Sequence, residues 1–360
     1  MSRRLKVGVV GCGVGVGHIK GYQELPDLYS VEALCDIDPA RAAAIAGEHG
    51  VRLSVGDFDA FLEHELDIVD ICTPSALHFE QAKKALLAGR HVVVEKPFAS
   101  SLAEADALAD LEQQSGKRLC PVFQYRFAHG IAQLLYLRER GFVGKAYAAT
   151  VETHWRRLPA YYDNSWRGRW ATELGGCLVT HAIHNHDILT HVLGPVRSVF
   201  ARTSTRVNPI ETEDCAAVVL EMADGSLATL SVTLGAEEDM SRLRFCFEGL
   251  TAESNRSPYN PGTAPWRFIA ADPERQRAID AAVAEVEPAP ERYAGQFLRL
   301  HRALTEGGTL PVSIADARPS LELITAAYRS ARTGEAVRLP IGRDHPLYAG
   351  WLPRPDKEVA

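Results

Sequence analysis

The chain has 360 residues, of which 46% are hydrophobic and 24% charged, with a formal net charge of −7. That length suits two domains, and the balance is that of an ordinary globular chain. Net negative charge argues against a nucleic-acid or anionic-membrane partner, no apolar run reaches the roughly 18–20 residues of a membrane span, and the first apolar run is too short for a signal peptide. The seven cysteines, Cys12, Cys35, Cys72, Cys120, Cys177, Cys215 and Cys246, are odd in number and scattered. Most lie in apolar, strand-like runs, which predicts buried reduced thiols and a cytoplasmic protein rather than disulfides or a zinc site.

Residues 5–122 alternate short apolar runs with helical patterns. Strands are predicted at 5–10, 31–35, 68–72, 91–94 and 119–123, and helices at 17–25, 39–49, 77–88 and 101–115. Asp38 and Pro39 suit the start of the second helix, and Gly89 and Gly116 suit the ends of the third and fourth. Such alternation means βαβ units and a parallel sheet. Beyond residue 123 the pattern changes. Strands are predicted at 147–154, 215–222, 226–234 and 243–248, with Ala223-Asp224-Gly225 as a hairpin turn. Residues 255–266 read as a long loop, and 291–305 and 318–332 as helices. The fold class is therefore α/β: an N-terminal Rossmann parallel sheet over 1–122, followed over 123–360 by an α+β domain with a large open, mostly antiparallel sheet.

The first strand runs into Gly11-Cys12-Gly13-Val14-Gly15-Val16-Gly17. A glycine loop between strand and helix lets backbone amides approach a pyrophosphate. Gly11, Gly13, Val14 and Gly15 are the cofactor-binding candidates, although Val16 stands at the third position of Gly-x-Gly-x-x-Gly. Asp36, at the end of the second strand, suits the adenosine ribose hydroxyls and would repel a 2′-phosphate. No Arg follows it immediately, so NAD is favoured over NADP. Thr73 and Pro74 follow the strand at 68–72, where ligand crevices occur in such sheets.

Strand 91–94 delivers Glu95-Lys96-Pro97. A lysine beside a nicotinamide can trade a proton with a reacting oxygen, and Pro97 biases Lys96 toward extended geometry. A second constellation is Gly175-Gly176-Cys177-Leu178-Val179-Thr180-His181-Ala182-Ile183-His184-Asn185-His186-Asp187. In one continuous helix, Cys177, Thr180, His184 and Asp187 share a face, within about 80° at 100° per residue. His184 is then a candidate general acid or base. His181 and His184 have a spacing that would suit a metal, but no further ligand presents itself, and no metal is expected. His186 points away and reads as structural. Trp155-Arg156-Arg157, Tyr161-Tyr162 and Trp166-Arg167 place aromatics beside cationic donors, which suits a sugar face and its hydroxyls. Tyr293 is a further candidate for the same cleft.

Taken in order, these segments resemble the Gfo/Idh/MocA (glucose-fructose oxidoreductase / inositol dehydrogenase) family. The resemblance runs from the glycine loop and His18 through Cys35-Asp36-Ile37-Asp38-Pro39, Asp70-Ile71-Cys72-Thr73-Pro74 with His78, and Gly89-Arg90-His91 before Glu95-Lys96-Pro97. It continues through Gln124-Tyr125-Arg126-Phe127, the Gly-Gly…His184…Asp187 segment, Ser330–Gly334 and Leu339-Pro340. It implies a Rossmann domain joined to an open-sheet domain, sheet-mediated homodimers or homotetramers, and hydride transfer at a carbohydrate or polyol carbon. By motif match it implies Lys96 and His184 as the proton-handling pair. It adds His78, Glu95, Trp166 and Arg167 around the cofactor, and Gln124, Arg126, Trp155, Arg156, Tyr162, Thr180 and His181 around the substrate. Many members place Asp where this chain has Thr180, and a hydroxyl cannot act as a carboxylate base at neutral pH. The leading expectation is an NAD-dependent sugar or polyol dehydrogenase. The alternatives are an NAD-assisted, redox-neutral glycosidase and a non-catalytic dinucleotide sensor.

Overall fold

A computed structural model describes residues 3–164 and 166–353. In chain order its elements begin with β1 (Leu5–Val10), α1 (Gly15–Gln23), β2 (Tyr29–Cys35), α2 (Pro39–His49), β3 (Leu53–Val55), α3 (Phe58–Leu62), β4 (Ile68–Ile71), α4 (His78–Leu87), β5 (His91–Val94), α5 (Leu102–Ser115) and β6 (Leu119–Pro121). There follow α6 (His129–Glu139), β7 (Ala146–Arg156), α7 (Trp170–Glu173), α8 (Cys177–Thr180), α9 (Ile183–Leu193), β8 (Val196–Ser204), β9 (Cys215–Met222) and β10 (Leu227–Thr233). Last come β11 (Gly235–Phe247), β12 (Thr251–Glu253), β13 (Arg267–Ile269), α10 (Pro273–Ala284), α11 (Arg292–Thr305), α12 (Ile314–Thr333) and β14 (Val337–Arg338).

The chain divides into two compact units. The first takes residues 1–124 and 290–318, the second 125–289 and 319–360. The expected single cut after residue 122 is therefore corrected, because 290–318 returns to the first unit. The reason is a packing face invisible to local pattern. Phe297 of α11 stacks on Tyr22 of α1 at 4.0 Å, and Tyr29 donates its hydroxyl to the Phe297 carbonyl at 2.7 Å.

In the first unit six strands form one parallel sheet in the order β3-β2-β1-β4-β5-β6. Its central strands are apolar runs buried on both faces, as a sheet covered by helices requires. Helix ends follow local chemistry. Asp38 accepts the Ala40 and Arg41 amides at the start of α2, and Ser101 accepts the Glu104 amide at the start of α5. Strand order reverses between β1 and β4, so the carboxyl ends of these two strands flank the crevice where such sheets bind ligands.

The second unit is built on an eight-stranded sheet, β13-β12-β11-β7-β10-β9-β8-β14, antiparallel except for β7 with β10. Strand alternation buries Val199, Val218, Leu230 and Val151 on one face. On the other, Phe200 stands opposite Val219, which stands opposite Thr229, itself opposite Thr150. The strand expected at 243–248 begins at Gly235, its first half hidden from pattern reading by a register shift between Gly235 and Met240. The helix expected at 318–332 begins at Ile314, where Ser313 and Asp316 cap each other reciprocally. Among the described residues no helix is long and apolar enough to cross a membrane.

Candidate active site

The glycine loop joins β1 to α1. Gly11 has φ +93°, and a Cβ there would lie 2.6 Å from the Cys72 carbonyl oxygen, so the turn demands glycine. Helix α1 starts at Gly15, two residues earlier than predicted. A Cβ on Gly15 would meet Val9 Cγ1 at 3.0 Å and Cys72 Cβ at 3.4 Å. Close helix–strand packing is the task of the third glycine in a dinucleotide loop. Gly15 performs it here, in a loop one residue shorter, and Val16 is an ordinary helical residue. No side chain caps α1 and no acid occupies its first turn, so its leading amides suit a pyrophosphate. Asp36 is buried and accepts the Cys12 amide at 2.8 Å and the Asp38 amide at 2.9 Å, which fixes its carboxylate at the end of β2. Arg41 reaches back to 3.8 Å from Asp36 and 3.4 Å from Asp38, a cation that adjacency in sequence did not reveal. Together the uncapped helix start and the acid at the end of β2 fit a dinucleotide.

Thr73 and Pro74 follow β4 at the same sheet edge. The Thr73 hydroxyl donates to Gln81 Oε1 at 2.6 Å. His78, expected at the cofactor, has Nδ1 2.8 Å from Pro97 O and Nε2 2.8 Å from Thr73 O, and a neutral ring donates to one of the two carbonyls at a time. It clamps the turn after β4 to the turn after β5, and burial holds its pKa below the usual value. Glu95, also expected at the cofactor, is buried and turned into the domain. Its Oε1 lies 3.0 Å from His18 Nε2 and accepts the Tyr293 hydroxyl at 3.3 Å, while Oε2 accepts the Lys96 amide at 3.0 Å. His18 Nδ1 meets Asp70 Oδ2 at 2.8 Å. Sequence reasoning missed Asp70, whose carboxylate in a buried strand was the available signal, since such a group needs a partner. His18, Asp70 and Cys72 hold donor atoms within 4.8 Å of one another, and the imidazole–carboxylate bond accounts for that closeness. Gln124 donates to the Tyr293 hydroxyl at 3.2 Å. Lys96 itself is half-buried at the end of β5, and its peptide bond to Pro97 is cis.

In the second unit residues 177–187 form two helices, α8 and α9, so the condition of one continuous helix is not met. The Thr180 hydroxyl donates back to the Gly176 carbonyl at 2.8 Å, and the Ala182 amide reaches the Cys177 carbonyl, a wide turn that breaks the run. Thr180 Oγ1 also lies 2.6 Å from His181 Nδ1. Tyr125 stacks on His184 at 4.5 Å, and Arg126 grips Asp187 through two bonds of 2.7 and 2.6 Å. That buried fork ties the Arg126 guanidinium to α9. The start of α8 rests on Glu213, which accepts the Gly176 and Leu178 amides at 3.1 and 3.0 Å and the Tyr328 hydroxyl at 2.9 Å. A Cβ on Gly176 would lie 1.8 Å from the Glu213 carbonyl oxygen. Burial pushes the Glu213 carboxyl up to about 7. Trp155 is buried, donates to Ser241 and meets the His181 ring edge-on at 5.4 Å. Arg167 lies over Trp166 at 4.2 Å and over Tyr161 at 4.1 Å. Arg156 is exposed and pairs with Glu237, and Tyr162 is half-buried beside Tyr161.

Residues 5–123 match an oxidoreductase family with an NAD-binding Rossmann fold, and residues 131–252 match the GFO/IDH/MocA C-terminal domain. The chain belongs to the Gfo/Idh/MocA oxidoreductase family. Its first unit is thus the NAD-binding domain of a Gfo/Idh/MocA oxidoreductase. Among curated relatives, D-glucoside 3-dehydrogenase of Escherichia coli is 28% identical over 373 residues, covering 94% of this chain and 98% of that protein. D-xylose 1-dehydrogenase (NADP(+)) 2 of Haloferax volcanii is 27% identical, covering 92% and 99%. Among solved members of similar fold, the WlbA dehydrogenase of Bordetella pertussis, in complex with NADH and UDP-GlcNAcA, is 27% identical with a TM-score of 0.82, covering 94% and 100%.

Proposed function

We propose that this oxidoreductase is an NAD-dependent dehydrogenase that transfers hydride at a carbinol carbon of a sugar, polyol or sugar derivative. The observation that carries the reading is the carboxyl edge of the first sheet, where the glycine loop, Asp36, Thr73-Pro74 and Lys96 each follow a different strand. The sugar dehydrogenases among the relatives support the substrate class. The amides at the start of α1 would hold the pyrophosphate, Asp36 the ribose hydroxyls, and Trp166 and Arg167 would line the nicotinamide side. NAD, when bound, supplies the hydride acceptor.

Lys96 handles the proton of the reacting hydroxyl, and His184 is its partner in that exchange. Thr180 lacks the charge of a base, and its oxygen can accept a substrate hydroxyl. His181, Trp155, Arg156, Tyr162 and Gln124 are the further substrate contacts. The open sheet face of the second unit supports a homodimer or homotetramer, since Phe200, Val219 and Leu227 are 39%, 51% and 56% exposed on it. A cytoplasmic location accords with free cysteines throughout.

The test is NADH formation with D-xylose, methyl β-D-glucopyranoside, D-glucuronate and myo-inositol. Lys96→Met should lower turnover roughly 10²–10⁴-fold and leave NADH binding intact. Cofactor reduction by none of the four would count against the reading. Nitrophenol release from a nitrophenyl glucoside without net NADH would favour the redox-neutral glycosidase, and NADH binding with neither reaction the sensor.

A further inference from the structure

Three segments of the first unit carry its cofactor-facing residues: the loop before α1, the turn after β4 and the turn after β5. One side chain touches the elements behind all three. His18 lies in the first turn of α1 and is wholly buried. Its Nδ1 meets Asp70 of β4 at 2.8 Å, and its Nε2 meets Glu95, just past β5, at 3.0 Å. Glu95 in turn accepts the Lys96 amide. Two hydrogen bonds therefore separate the imidazole from the Lys96 backbone. Tyr293 closes the cluster, its ring 4.3 Å from that of His18 and its hydroxyl on Glu95.

Carboxylates only accept, so a ring held between two of them carries a proton on each nitrogen. Burial opposes that charge, but Asp70, with Cys72 beside it, overrides burial and raises the His18 pKa well above 6.5. A shorter neutral side chain that reaches only Asp70 would withdraw the cationic donor from Glu95, which would keep Tyr293 and the Lys96 amide. Glu95 is the one whose release moves a functional segment.

We propose that His18 is a positioning residue for Lys96, acting through Glu95. The assignment rests on the proton-handling reading of Lys96 only in its kinetic consequence. The structural consequence is read in the unliganded enzyme by hydrogen exchange. His18→Asn should speed exchange of the Lys96 amide about tenfold or more while amides of α2 keep their protection. Unchanged exchange at Lys96 would overturn the proposal. Should the variant fail to fold, His18→Asn/Asp70→Asn removes one carboxylate along with the cation, and the same acceleration is expected. Wild-type protection of Lys96 in that double variant would equally overturn it.

The kinetic arm uses whichever sugar of the panel above the wild type oxidises. His18→Asn should lower kcat roughly 10–100-fold with little change in KM for NAD. Added to Lys96→Met it should lower kcat no further. Losses that multiply would mean that His18 acts elsewhere. Full turnover by Lys96→Met alone would sink the role given to Lys96, and the exchange result would still decide that of His18.

Discussion

Two histidines, one in each unit, are both buried, and their surroundings push their pKa values in opposite directions. His18 lies between Asp70 and Glu95, and its pKa stands well above the ordinary 6.5. For His186, on α9, neither ring nitrogen has a hydrogen-bond partner among the described residues, and burial alone pushes its pKa down to about 3. Depth in the protein therefore does not set charge. What sets it is whether the topology brings an anion to the ring, and in the first unit two strand ends do so. Glu213 is the converse case, a buried carboxyl served by two amides and a tyrosine hydroxyl, with no cation among its bonded partners in the described residues. It retains its proton to about 7.

The contrast can be attacked where it is strongest. His18→Leu strips the cation from between two buried carboxylates and should cost about 3–5 kcal/mol of stability in urea unfolding. A loss under 1 kcal/mol would mean the ring is not charged. Tyr328→Phe removes one donor from a buried carboxyl, and about 1.5–3 kcal/mol is expected by the same measurement.

The pH dependences sharpen the comparison further. Glu213 has its folded pKa raised from 4.5 to about 7, so the stability it contributes is complete below 4.5 and drains as pH rises through about 7. Melting temperature should fall across that window in the wild type and stay flatter in Glu213→Gln. For His186 the sign is reversed. Its folded pKa is depressed, so its contribution is complete above 6.5 and is lost as pH falls toward about 3. His186→Leu should flatten the acid limb of the melting curve and change little at neutral pH. An unaltered acid limb would show that the ring is not held neutral.

Much of the first unit was legible from sequence because its strands are continuous apolar runs punctuated by helix-end signals, as at Asp38 and Gly116. The dinucleotide loop was legible too, apart from which glycine packs against β1. Short or polar elements escaped. The strand Leu53–Val55 has three half-buried residues and no alternation to detect, and β8 was passed over although Val199 and Ala201 alternate with exposed neighbours. In the candidate site, residue types were readable and orientations were not. Glu95 and His78 stand in the right motifs and point inward, and Arg126 looks like an anion binder until Asp187 is found against it. Those directions depend on partners distant in sequence, 77 residues away for Glu95 and 61 for Arg126.

The return of α11 to the first unit has a consequence for the order in which the chain can fold. A growing chain usually completes its N-terminal domain first. Here the aromatic face of α1, the Phe123 amide and the Glu95 carboxylate find Phe297, Gln296 and Tyr293 only after some 170 further residues have been made. Until then the nascent NAD-binding domain keeps Tyr22 and Tyr29 uncovered by α11. A fragment ending at residue 124 should share that incompleteness, exposing apolar surface and lacking one of the groups that hold Glu95.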